Sequence, residues 1–105
     1  MKISVIGNLP EESDIFLSMI NDFVQKHRVG SPVIISAGSV STLHQIDKYA
    51  KGKGYDSIIM GNVFTLALLN ADKVIVVWDG VDKKMEEVFA LCKREKKPYM
   101  EIKTQ

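Results

Sequence analysis

The sequence predicts an α/β fold in which one parallel sheet lies between two layers of helices. Three observations carry that reading. Strand-like and helix-like segments alternate along the whole chain, several strand segments are continuous apolar runs of the kind buried on both faces, and turns rich in Gly, Ser and Asn follow them. With 105 residues, 46% apolar and 26% charged, the chain suits one domain, residues 1–105, that closes a core without metal or disulfide staples.

Lys2 to Ile6 is rich in β-branched residues and stops at Gly7-Asn8, which makes a first strand. A helix is expected from Pro10 to about His27. Pro10 suits a first turn, Glu11, Glu12 and Asp14 favour the positive end of the helix dipole, and Ile15, Phe16, Met19, Ile20, Phe23 and Val24 form one wide apolar face. Gly30-Ser31-Pro32 breaks the chain before the strand Val33-Ile34-Ile35, which ends at Ser36-Ala37-Gly38-Ser39. Ser41 or Thr42 can cap a second helix carrying Leu43, Ile46 and Ala50, and Gly52 and Gly54 close it. Ser57 to Met60 reads as a third strand, or else as the lead-in to the helix of Val63, Phe64, Ala67, Leu68 and Ala71, in which case the sheet has four strands. Lys73 to Trp78 is the strongest strand signal and is expected at the sheet centre, where both faces are covered. Asp79-Gly80 ends it. A last helix follows on Met85, Val88, Phe89 and Cys92, with Lys93, Arg94, Lys96 and Lys97 at its negative end, and Pro98 opens a final strand through Ile102. The whole is a three-layer α/β/α, Rossmann-like pattern with a five-stranded parallel sheet.

Fourteen Lys and Arg against thirteen Asp and Glu leave a net charge of +1, so nothing in the electrostatics favours nucleic acid or an anionic membrane as partner. The longest apolar run, Val74 to Trp78, is far short of the roughly 20 residues of a spanning helix, and no basic stretch leads into a signal-type apolar core. A lone Cys92 has no cysteine to pair with, and a cytoplasmic location is the expectation. His27 and His44 lack metal-ligand spacing, so no metal and no cofactor are expected.

In such sheets ligands bind at the carboxyl ends of the strands, near the point where strand order reverses. The residues there are Gly7, Asn8, Ser36, Gly38, Ser39, Asn62, Asp79 and Gly80. Glycine lets backbone approach a ligand closely, and helix N-termini offer N–H groups to anions. The same residue types also build ordinary turns and caps. Asp79 either hydrogen-bonds ribose hydroxyls or caps its own turn, and Asn62 either reaches the cleft or caps a helix. Trp78 either stacks a base or sits in the core with its N–H on a carbonyl. The dinucleotide fingerprint and the Gly-Lys-Ser/Thr phosphate loop are both absent, which disfavours ordinary ATP hydrolysis.

Several stretches resemble the SLOG superfamily, the Rossmann-like domains related to the Smf/DprA and LOG (Lonely Guy) proteins. They are the first strand ending at Gly7, "IISAGSVSTLHQIDKYAKGKGY" with Asp47 and Tyr49-Ala50, "NADKVIVVWDG", and the helix leading into "KKPYMEI". Ala37 stands where that family usually has glycine, and Asp82 to Met85 replace its Gly-Thr pair. The Pro-Gly-Gly-x-Gly-Thr stretch of LOG-type catalysis is missing. The resemblance therefore implies recognition of a nucleotide or nucleotide-derived molecule, as sensor or sequestering protein, more than a reaction. Asp47 then serves to brace the Ser36–Ser39 loop. A second resemblance is to nucleoside 2-deoxyribosyltransferases. It implies an N-glycosyl hydrolase or transferase with Glu86 or Glu87 as nucleophile, although carboxylates in a first helical turn are also ordinary dipole partners. A protein-interaction module with a degenerate pocket is the third reading. Leu66, Leu68 and Leu69 make the third helix apolar nearly all round, which suits a homo-oligomer.

Overall fold

The computed structural model describes residues 1–105. Five strands, β1 (Lys2–Gly7), β2 (Val33–Gly38), β3 (Asp56–Ile59), β4 (Lys73–Trp78) and β5 (Tyr99–Lys103), alternate with four helices. The helices are α1 (Asp14–His27), α2 (Val40–Lys53), α3 (Phe64–Leu69) and α4 (Lys83–Arg94). All strand pairs are parallel, in the order β3-β2-β1-β4-β5. The chain winds outward from β1 to β3, crosses back through α3, and winds outward again to β5. A constant crossover hand then puts α1 and α2 on one face and α3 and α4 on the other. This is a three-layer Rossmann-like fold with a five-stranded sheet.

Strand alternation divides the core in two. Ile3, Val5, Ile34, Ile75, Val77 and Ile102 meet Ile20 and Val24 of α1 and Ile46 and Ala50 of α2. Ile6, Ile35, Ala37, Val74 and Val76 meet Ala67 and Leu68 of α3 and Met85, Val88 and Cys92 of α4. Each buried Ile, Leu or Val contributes roughly 1.5–3 kcal/mol, so both layers are needed to hold the sheet. Cys92 is wholly buried in the second layer, and burial pushes its thiol up to about 11, which leaves it protonated and inert. Ser4, also buried, donates from Oγ to the Ala67 carbonyl at 2.6 Å and ties β1 to α3.

Three elements differ from the sequence expectation. Helix α1 begins at Asp14, not Pro10, because Glu12 takes φ +54° and the Pro10 carbonyl accepts from Ser13 Oγ and from Gln45 Nε2 of α2. The Pro10–Ser13 turn thus belongs to the α2 contact. The cap of α2 is Ser39, whose Oγ accepts from Thr42 N at 3.3 Å, rather than Ser41 or Thr42. β4 is an interior strand, but β1 occupies the middle; four consecutive apolar residues require two covered faces, and β4 has them between β1 and β5. The Ser57–Met60 segment does supply a strand, β3, which lies at one edge.

Asp47 holds that edge strand rather than the Ser36–Ser39 loop. Its Oδ1 accepts from Ser57 Oγ at 2.7 Å and its Oδ2 lies 3.0 Å from Lys51 Nζ. The hydroxyl and the ammonium both favour the carboxylate and hold its pKa below the usual range.

Gly7 and Gly38 are fixed by how closely the strand tips approach. Both have φ in the left-handed half (+134° and +138°), and a Cβ on Gly7 would stand 1.8 Å from the Val77 carbonyl oxygen, one on Gly38 1.8 Å from that of Gly7. Gly52, inside α2, has open space around it. Gly7→Ala should therefore lower unfolding free energy by at least about 3 kcal/mol, whereas Gly52→Ala should raise it by about 0.5–1 kcal/mol. Urea unfolding of the two variants checks both signs.

Candidate functional site

The strand order reverses between β1 and β4, so the switch point lies at their carboxyl ends, over Gly7-Asn8 and Asp79-Gly80, a shallow rim whose residues line none of the three larger concavities of the surface. Its floor is stitched together by backbone bonds. Asn8 N donates to Val77 O (2.9 Å), Ser39 N to Gly7 O (3.1 Å) and Gly38 N to Gly61 O (2.7 Å). The N–H groups of Asn8, Gly38 and Ser39 are thus engaged between strands. The glycines at this rim serve the approach of strand to strand.

Thr42 reinforces the same seam. Its buried hydroxyl donates to Gly7 O at 2.7 Å and accepts from Leu9 N at 2.8 Å, linking the first turn of α2 to the exit of β1. Ser39 Oγ lies 3.1 Å from it. Gln45 completes the join, accepting from Ser13 N and donating to Pro10 O and Ser41 Oγ. In the sequence Thr42 is recognisable only as a helix cap and Gln45 not at all, because partners more than thirty residues away leave no local signal.

On the other side of the rim Asp79 Oδ1 accepts from Val81 N (2.9 Å) and Asp82 N (3.0 Å), so this carboxylate closes its own turn. Its second oxygen has no partner within the protein. Asp82 caps α4 through Oδ1 on Lys84 N (2.8 Å), and its Oδ2 accepts from Asn8 Nδ2 at 3.3 Å across the rim. Gly80 takes φ +97°, which suits the turn. Asn8, Asp79 and Asp82 are therefore the polar side chains that the switch point gathers. In the sequence Asp82 stands only where the resembled family has its Gly-Thr pair; its cap on α4 and its contact with Asn8 come from the structure.

The other candidates lie elsewhere. Ser36 is fully buried on the α1/α2 side of the sheet, in register between Val5 and Ile59, with its Oγ unpartnered. It is inside the layer and not on the rim. Asn62 lines a depression of about 340 Å³ between α3 and α4, shared with Glu87. Glu86 lines a different one, of about 410 Å³, between α4 and β5. The two glutamates thus face opposite flanks of α4, and Asp79 borders neither depression. Trp78 Nε1 donates to the Glu101 carboxylate at 2.5 Å, a side-chain partner in place of the expected carbonyl.

The largest concavity, about 890 Å³, is a groove between α1 and α2 with Glu11, Glu12 and Asp14 at one end and Lys48 and Lys53 across from them. Tyr49 on its wall donates to Asn21 Oδ1 at 2.8 Å, and burial pushes its phenol up to about 12, so it stays neutral. His44 lines this groove, while His27 sits apart with Nδ1 2.7 Å from Lys73 Nζ, and partial desolvation and then the Lys73 charge lower its pKa. No group of three His, Cys, Asp or Glu is placed to hold a metal ion. No helix is long and apolar enough to cross a membrane.

No family model, no curated protein and no solved structure matches the chain.

The Thr42 seam makes a specific prediction. Thr42→Val leaves the buried Leu9 N–H without its acceptor and should cost about 1–3 kcal/mol, whereas Thr42→Ser, which keeps the hydroxyl, should lose less. Paired denaturant titrations read the difference.

Proposed function

We propose that the domain binds a nucleotide-derived small molecule at the switch-point rim, recognising the sugar rather than the phosphate, and acts as a sensor or sequestering protein. The observation that carries the reading is the meeting of Asn8, Asp79 and Asp82 at the exits of β1 and β4, where the strand order reverses. Carboxylate oxygens accept from vicinal hydroxyls, and the Asn8 amide supplies a donor beside them. The backbone N–H groups of Asn8, Gly38 and Ser39 are already bonded within the fold, and two carboxylates at the rim repel an anion. The resemblance to nucleotide-recognising SLOG domains points to the same ligand class.

A thermal-shift panel tests this. Nucleosides should raise the melting temperature at least as much as their monophosphates, since a ligand at 100 times its Kd adds about 2.7 kcal/mol to the folded state. Asp82→Ala should remove the shift. No shift with any nucleoside, nucleotide or ADP-ribose derivative would sink the reading, and free base released from a nucleoside would turn it toward N-glycosidic cleavage.

We further propose that two copies pair through β3. Met60 N donates to Ser36 O, so by the alternation of a parallel ladder Ile58 bonds inward to β2 while the backbone groups of Ser57 and Ile59 point outward. A two-fold axis through Ile58 sets Ser57 opposite Ile59 of the second copy twice over, making four ladder bonds in one continuous sheet. Ile58 and Ile59 are 39% and 54% exposed, whereas the opposite edge strand is guarded by Glu101 and Lys103. α3 is only six residues long and buries Ala67 and Leu68, with Leu66 and Leu69 left exposed. Light scattering coupled to size exclusion should give a dimer for the native chain and a folded monomer for Ile59→Lys. A native chain that stays monomeric at high concentration would overturn the pairing.

A further inference from the structure

We infer that the depression between α4 and β5 is a second site, separate from the switch-point rim, and that it takes an organic cation carrying a methylated ammonium group. The register Val74↔Tyr99, Val76↔Glu101 puts Tyr99 and Glu101 on the same sheet face as Val74, Val76 and Trp78. Helical spacing puts Glu86, Phe89 and Lys93 along the stripe of α4 that faces them. β5 is an edge strand of the sheet, and the flank between it and α4 holds a depression of about 410 Å³.

Three aromatic rings wall it. Trp78 and Phe89 have centroids 5.1 Å apart at 65°, Phe89 and Tyr99 5.5 Å apart at 58°, so successive rings are turned steeply against one another. The Trp78–Glu101 hydrogen bond fixes one ring and one carboxylate together, and leaves the other oxygen of Glu101 without a partner. Glu86 makes no ion pair, and Lys93, on the same wall, reaches neither carboxylate; the only ion pair in the protein is Lys51–Asp47. The site is thus lined by three aromatic rings and by two glutamates outside any ion pair, with Lys93 as the one basic side chain on its wall. A methylated ammonium is bulky and weakly hydrated, loses little on leaving water, and is attracted by both features. Inorganic cations and unsubstituted ammonium ions hold their water more strongly and have no ring of oxygen ligands here.

Trp78 is the only tryptophan in the chain, so its emission reports on this site directly. Choline and N-acetyl-trimethyllysine amide, a free and a protein-borne form of the same cation, should each change it saturably, and the tighter of the two identifies the source. The uncharged isostere 3,3-dimethylbutanol should bind at least about tenfold more weakly. Glu86→Gln, at an exposed position, should weaken both cations several-fold and leave the isostere unchanged. Adenosine should not displace choline. Equal binding of cation and isostere, no saturable response, or displacement by adenosine would each overturn the assignment, and none of these depends on whether the rim binds a nucleoside.

Discussion

The contact on which the rest of the structure depends is the stacking of strand tips at the carboxyl edge. The Val77 carbonyl lies against Gly7, and the Gly7 carbonyl lies against Gly38, each where a Cβ would stand at 1.8 Å. That approach aligns β4, β1 and β2, and Thr42, Ser39 and Gln45 lock α2 and the β1 exit onto it. Both core layers are assembled around strands held in this way. Because interiors are close-packed, a single added carbon there is felt by both.

The same contact decides what the rim can recognise. In a sheet whose strand tips diverge, free N–H groups face outward and make an anion site. Here Asn8, Gly38 and Ser39 donate to their neighbours, and what remains at the switch point is side-chain chemistry from Asn8, Asp79 and Asp82. That set offers acceptors for hydroxyls and repulsion for phosphates. The two edges of the sheet then diverge in character. β3 carries exposed Ile58 and Ile59 around unpaired backbone groups, while β5 carries alternating charge and an aromatic flank. On the readings proposed above, one edge takes a second copy of the chain and the other an organic cation.

The candidate site was legible in part. Asn8, Asp79 and Gly80 follow directly from where strands end, and the structure gathers the first two with Asp82 at the reversal of strand order. Ser36 is not at the strand end: β2 continues three residues past Ile35, through Gly38, so Ser36 falls inside the layer and faces α2. Glu86 and Glu87 are adjacent in sequence, yet a helix turns successive residues by about 100° and sends them to separate depressions.

The sequence by itself determined the alternation of strands and helices, the two-sided burial of β4 and the assignment of glycine to the strand exits, because periodicity and turn chemistry are local. Only the tertiary structure decided that β1 is the middle strand, that α1 starts after a turn held by Gln45, and that the exit glycines face other strands rather than solvent. Those outcomes rest on hydrogen bonds and close approaches between residues more than thirty positions apart, such as Gly7 with Thr42 and Asn8 with Asp82, and no local pattern records which distant partner a polar group will find.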